Sequence, residues 1–196
     1  MDMQLSEIAI EQVPETVGEA PYRFRRFISS ERIQSEVRRL GRELNRDYAD
    51  RDPVLIGVLN GCFLFMADLS RELRLAASID FVKLSSYRDG MTAGRLHLEK
   101  SVGLDIRDRH VILVEDIVDT GNSLGFLRNH VRGLGVASLA MAAMFVKESA
   151  IRLNHRPEYT GMVIPDDFVV GYGLDHGGRW RQLPDLYVLI PHEEQA

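Results

Sequence analysis

Residues Val111 to Leu124 read VILVEDIVDTGNSL. Four apolar residues run into two carboxylates, Glu115 and Asp116, and a third, Asp119, follows. Thr120-Gly121-Asn122-Ser123 then opens onto Leu124, Leu127 and Val131, which recur at helical spacing. The stretch predicts a buried strand over Val111 to Val114, an acidic end, and a helix from Ser123 to Leu134. The same order occurs upstream. Val54 to Leu59 (VLIGVL) reads as a buried strand and Asn60-Gly61 breaks it. FLFMADLSREL follows as a helix with Phe63, Met66, Leu69 and Leu73 inward, and with Phe65 on a different face, available to a subunit contact. Ile79 to Leu84 and Ala137 to Val146 add two strands, and Phe168 to Val170 and Leu186 to Ile190 two short later ones. Strands that are apolar throughout and alternate with helices indicate an α/β fold, a central parallel sheet flanked by helices. Ligands of such folds bind where the carboxyl ends of the strands meet helix N-termini.

The flanking segments fit this frame. Ile33, Val37, Leu40 and Leu44 form one stripe of an amphipathic helix, with Ser29 or Ser30 as its cap. Residues 1–28 show little period and read as an arm or edge hairpin, whose Arg23, Arg25 and Arg26 line a solvated edge. Ser85 to Lys100 carries two glycines and mixed charge, and reads as a mobile loop or hairpin. There is no internal repeat. A length of 196 residues suits one domain, with 160–196 set apart as a small C-terminal hood. With 45% hydrophobic and 27% charged residues, the composition is that of a globular protein and argues against disorder.

Lys plus Arg number 24 against 29 Asp plus Glu, a net charge of -5 without a dense basic run, so long nucleic acid is not an expected partner. No apolar run reaches the roughly 18 residues of a membrane span, and the opening MDMQLSEIAIEQ lacks the basic-then-apolar order of an export signal. A single cysteine, Cys62, precludes an internal disulfide. The expected location is the cytoplasm. An anionic ligand of so acidic a chain must be held locally, by a helix N-terminus, backbone amides, a placed cation or a metal ion.

The stretch quoted first supplies such devices. A turn of small residues at a helix start offers free N–H groups and the positive end of the dipole to a phosphate. Thr120 and Ser123 add hydroxyls, and Gly121 permits close approach. Adjacent carboxylates can accept hydrogen bonds from the vicinal hydroxyls of a ribose or hold hydrated Mg²⁺, and Asp119 stands between them and the turn as a candidate general base. Gly121-Asn122-Ser123-Leu124-Gly125 also matches the G-x-S-x-G elbow of serine hydrolases. That serine should follow its strand almost at once, whereas a polar and acidic segment separates Val114 from Ser123. VILVED is also like the opening of a receiver domain, but it lies too far along the chain. A merely solvated strand end would not explain the ordered succession of acid pair, lone acid and small-polar turn.

VILVEDIVDTGNSL resembles the phosphoribosyl-pyrophosphate (PRPP) binding motif of type I phosphoribosyltransferases, in the form found in the hypoxanthine-guanine members. Further segments carry the resemblance from about Ile33 to Ile190. Leu59-Asn60-Gly61-Cys62 with FLFMADL is similar to the pyrophosphate loop, Ser86-Tyr87 to the start of the flexible loop, and Phe145-Val146-Lys147 to the segment with the purine-contacting lysine. IPDDFVVGYGLDHGGRWRQLPDLYVL, from Ile164 to Leu189, is similar to the hood that closes over the base.

The resemblance implies transfer of a 5-phosphoribosyl group from PRPP to hypoxanthine, with guanine accepted too, giving IMP or GMP and pyrophosphate in a magnesium-dependent purine salvage reaction. Asp119 would take the purine N7 proton. Glu115 and Asp116 would hold the ribose hydroxyls and help to place Mg²⁺, with Asp175 near a second ion, and Thr120, Gly121, Asn122 and Ser123 would bind the 5′-phosphate. Asn60, Gly61 and Arg181 would face pyrophosphate. Lys147 would donate to the 6-oxo group, Phe168 would stack on the base, and Val169 would read its edge beside Asp175. Many relatives carry lysine or arginine at position 60 after a cis peptide bond; asparagine removes that charge and leaves pyrophosphate more to backbone and magnesium. The loop from Tyr87 to Lys100 would close as a lid and keep water from the oxocarbenium-like centre. Relatives form homodimers and homotetramers. A phosphoribosyltransferase for another base such as xanthine, and a non-catalytic PRPP-binding regulator, are the alternatives within this reading. The six histidines are scattered without metal-ligand spacing, and Cys62 reads as a buried structural thiol.

Overall fold

The computed structural model describes residues 14–19, 21–87, 95–152 and 156–191. In chain order the elements are β1 (Thr16–Glu19), β2 (Tyr22–Ile28), α1 (Ser30–Asp47), β3 (Val54–Leu59), α2 (Phe63–Glu72), β4 (Ser78–Tyr87) and β5 (Arg95–Lys100). They continue with β6 (His110–Val118), α3 (Asn122–Arg132), β7 (Ser138–Lys147), α4 (Glu148–Arg152), β8 (Tyr159–Ile164), β9 (Val169–Val170) and β10 (Leu186–Leu189). Six strands form the main sheet in the order β5-β4-β3-β6-β7-β8. All its pairings are parallel except that of β5 with β4.

The apolar strands follow from a sheet covered on both sides. On β3, Leu55 joins the core formed with α1 and α2, while Val54, Ile56 and Val58 join the core formed with α3. On β6, Ile112 and Val114 face the first core and Val111 and Leu113 the second. Helix α1 is capped by Ser29, whose side chain accepts from Arg32 N, and its four stripe residues are all buried. Gly41 lets α1 approach α2, since a methyl group there would collide with Glu72 Cβ.

Three departures from the sequence reading stand out. The third expected strand, β6, runs on to Val118, so Glu115 and Asp116 lie within it. Tyr159–Ile164, unassigned from sequence, is a strand that closes one edge of the main sheet. On α2 the aromatic assignments reverse: Phe65 is fully buried in the core and Phe63 is 39% exposed. The subunit contact expected of Phe65 is therefore ruled out, because α2 turns that ring inward onto the sheet. The Ser85–Lys100 segment takes the hairpin form of the two read from sequence, pairing Ser85 with His97 and Tyr87 with Arg95. Its tip, with Gly90 and Gly94, lies outside the described residues.

A second sheet of four strands, in the order β1-β2-β10-β9, forms the hood. It draws on both ends of the chain. The period-less arm supplies the β1–β2 hairpin, and β2 pairs antiparallel with β10, Phe24 opposite Leu189 and Arg25 opposite Val188. Asp185 fastens the hood to the main layer: buried just before β10, its Oδ1 accepts from Ser30 N at the start of α1, 2.7 Å away. Arg26 Nη1 lies 3.7 Å from its other oxygen.

Candidate active site

Three loops meet at the carboxyl ends of β3, β6 and β7. Successive residues of a strand point to opposite faces, and Glu115 and Asp116 are separated in this way. Glu115 lines a cavity of about 90 Å³ together with Asp119, Thr120, Gly121, Ser123, Leu124 and Leu127. Its Oε2 is buried with no hydrogen-bond partner. Burial, and then the neighbouring Asp116 charge, raise its pKa well above the ordinary carboxylate value. Asp116 faces the other way, against Gly61, where a methyl group would overlap its carboxylate. Burial pushes Asp116 up to about 6, against the pull of backbone N–H groups and of the Arg181 charge.

Helix α3 begins behind Gly121, which takes a left-handed conformation at φ 77°. Its first intrahelical bond runs from Gly125 N to Gly121 O, so the N–H groups before it are free of helix partners at the positive end of the dipole. Thr120 and Ser123 flank this end at the cavity. The side chain of Asn122 lies outside the described residues. Ser123 sits in the first helical turn, five residues past the strand, rather than in an elbow that follows the strand directly.

Lys147 ends β7 and is buried, at 8% exposure, unlike an ordinary strand-end lysine. Its Nζ lies 3.6 Å from Asp119 Oδ1 and donates to Asp166 O at 3.4 Å. Asp119 is open, with 58% of its side chain exposed. The structure therefore brings an accessible carboxylate, a sheltered ammonium and a helix N-terminus to one place.

The loop after β3 carries a cis peptide bond between Leu59 and Asn60, with Asn60 exposed and Gly61 buried. Gly61 also touches the hood: a methyl group on Gly173, at φ 97°, would strike Gly61 O. Arg181 braces this contact, Nη1 donating to Gly173 O at 2.7 Å and Nη2 pairing with Asp175 Oδ1 at 2.6 Å. Asp175 Oδ2 accepts from Gly178 N. Tyr172 donates from its hydroxyl to Asp68 Oδ2 on α2, an oxygen that also accepts from Gln34 Nε2. Sequence reading missed this Tyr172–Asp68–Gln34 link. Its only local signal was a tyrosine between two glycines. Phe168 stands 45% exposed ahead of β9, followed by buried Val169. Cys62 is fully buried and its thiol is pushed up, by burial and by the charges of Glu115 and Asp116. Ser86 and Tyr87 end β4 by their backbone; their side chains lie outside the described residues.

A family model described as a phosphoribosyl transferase domain matches residues 29–176. The chain belongs to the phosphoribosyltransferase family. The chain is 41% identical over 171 residues to a hypoxanthine phosphoribosyltransferase of Escherichia coli, a match covering 86% of this chain and 96% of that one. A crystal structure of a hypoxanthine-guanine phosphoribosyltransferase from Bacillus anthracis superposes with a TM-score of 0.78 at 35% identity, covering 85% of this chain and 96% of the other. A bifunctional TilS/HprT protein of Listeria monocytogenes is 34% identical over 166 residues, 84% of this chain. The chain spans only 26% of that relative's length. Among its described residues, no helix is long and apolar enough to cross a membrane.

Proposed function

We propose that this chain transfers the 5-phosphoribosyl group of PRPP to hypoxanthine, and to guanine, releasing pyrophosphate and forming IMP or GMP. The observation that carries the reading is the sheltered Lys147 ammonium, 3.6 Å from the open Asp119 carboxylate and next to the free N–H groups of α3. An ammonium donates and cannot accept, so a purine presenting a 6-oxo group is favoured there over one presenting a 6-amino group. In the transfer the bond from C1′ to the pyrophosphate oxygen breaks and a bond from C1′ to purine N9 forms. The N7 proton passes to Asp119. Thr120 to Ser123 hold the 5′-phosphate, and Glu115 and Asp116 serve the ribose hydroxyls. Phe168 stacks on the base with Val169 and Asp175 at its edge. Asn60, Gly61 and Arg181 serve pyrophosphate.

Magnesium fits this donor set. Glu115 Oε2 is buried and without a partner, yet among the described residues no three acidic, histidine or cysteine side chains converge into a cage. Mg²⁺ commonly binds through one or two carboxylates, waters and substrate phosphates. Glu115 and Asp116, on opposite faces of β6, would help to place it through water rather than as a direct pair, and Asp175 would stand near a second ion, where Arg181 competes for its carboxylate. The ion would supply neutralisation of the pyrophosphate charge. The β4–β5 hairpin serves as the lid. The enzyme is read as cytoplasmic; it is also read as a homodimer or homotetramer, which exposed apolar side chains such as Phe63, Ile79 and Leu104 support.

The test offers PRPP and Mg²⁺ with hypoxanthine, guanine, xanthine and adenine in turn, to wild type and Asp119→Asn. Hypoxanthine and guanine should turn over and adenine should not, with Asp119→Asn slower by about 100-fold or more. PRPP binding without turnover of any base would make the chain a regulator, and equal rates in both proteins would remove Asp119 from its role.

A further inference from the structure

Five rings gather in the hood, and only Phe168 has a part in the chemistry above. Tyr22 and Phe24 come from β2, and His176 and Trp180 from the turn between β9 and β10. Phe168 is 45% exposed, while Phe24 beside it is fully buried. The His176 ring meets Phe168 edge-on, 5.5 Å between centroids at 88°. Behind His176, Trp180 lies nearly parallel at 6.2 Å and 13°, and Tyr22 packs at 4.3 Å. Phe24 touches three of the rings: Phe168 at 6.2 Å, His176 at 6.3 Å and Trp180 at 5.2 Å. Gly18 of β1 closes the back, where a Cβ would lie 3.4 Å from both Phe24 and Trp180.

We propose that His176 and Phe24, with Trp180 behind them, are positioning residues that hold the Phe168 ring at one tilt and thereby set the affinity for the purine base. The inference rests on the stacking of Phe168 proposed above. A ring that must be ordered on binding subtracts that cost from affinity, whereas a ring ordered during folding does not. Phe168 is too exposed to be fixed by burial, so its orientation falls to the rings around it. Edge-on and tilted pairs at these separations are each worth a factor of roughly 2 to 10 in an equilibrium. The support also crosses the chain: Phe24 reaches Phe168 only because β2 pairs with β10, which in turn pairs with β9. The N-terminal hairpin thus belongs to base recognition.

The experiment compares His176→Ala, His176→Phe, Phe24→Leu and Phe168→Leu in the full chain. His176→Ala should raise the KM for hypoxanthine about 3- to 10-fold, with kcat and the KM for PRPP unchanged within about twofold. His176→Phe, which keeps a ring, should restore it. Phe24→Leu is read in the same way should His176→Ala fail to fold. An unchanged hypoxanthine KM in His176→Ala and Phe24→Leu, with a raised one in Phe168→Leu, would overturn the inference and leave the stacking intact. An unchanged KM in Phe168→Leu would sink the stacking and this inference together. A parallel change in kcat and in the KM for PRPP would show a structural role only, which also overturns it.

Discussion

Gly61 has no room for a side chain: Asp116 fills one side and the Gly173 backbone packs close by. Gly61→Ala is expected to push the Asp116 carboxylate aside and raise the KM for PRPP about tenfold or more, measured by steady-state kinetics over a range of PRPP concentrations. Asp116 also makes stability depend on pH. Its carboxyl binds a proton more tightly in the folded chain, up to about 6, than in the unfolded one near 4. Its contribution is therefore greatest below pH 4 and is lost as pH rises through 6, an effect on the order of 3 kcal/mol. Urea melts of Asp116→Asn, without PRPP or divalent ions, should lack that decline. At this scale the sequence was most informative around residues 115–123, where strand, acids and turn are contiguous and fold locally. The Lys147–Asp119 approach depends on the register of β7 beside β6, and nothing in the adjacent residues encodes that distance.

Among the elements, α2 shows how periodicity misleads on a short helix. Phe63 and Phe65 both sit near its start, and spacing alone favoured Phe63, with Met66 and Leu69, as the inward ring. The sheet face instead receives Phe65, Met66 and Leu69. Phe65→Ala should cost about 3 to 5 kcal/mol in chemical denaturation, and Phe63→Ala less than about 1 kcal/mol. Strand β8 (YTGMVI) escaped notice because it is short and interrupted by Gly161, whose missing side chain lets it lie against Met144 of β7. Strand β2 (YRFRRFI) does alternate aromatic and arginine at its start, a two-residue period hidden by charge. The base of the β4–β5 hairpin is pinned by Asp80, which accepts from Lys100 Nζ and from the backbone of Phe81, Gly103 and Leu104. Burial acts to raise this carboxyl, but those bonds bring it down to about 2. Its contribution is present above about pH 4 and lost as pH falls through 2. Asp80→Asn should lower stability by about 2 kcal/mol at pH 7 and remove the acid-side loss between pH 4 and 2, read from melts across that range.

Across the whole molecule, the two sheets share the core beneath α1 and α2, where Val169, Tyr172, Leu186 and Val188 of the hood join Leu55, Ile112 and Phe145 of the main sheet, and a few polar links add to it. Asp185 reaches the start of α1, and Tyr172 reaches Asp68 on α2. Tyr172→Phe leaves Asp68 with one donor fewer and should cost about 1 to 2 kcal/mol, a fall in Tm of about 2 to 8 °C in calorimetry. The main sheet was legible because each strand and its helix are neighbours in sequence. The hood sheet was not, since its central pair joins residues 22–28 to residues 186–189, and no window along the chain spans that distance. The same pairing sets a timetable for synthesis. As the polypeptide leaves the ribosome, the strand bearing Phe24, at residues 22–28, emerges long before its neighbour in the sheet, at residues 186–189. The nascent chain must therefore carry this aromatic edge without its β10 partner until residues 186–189 have been made, and the hood sheet can close only then.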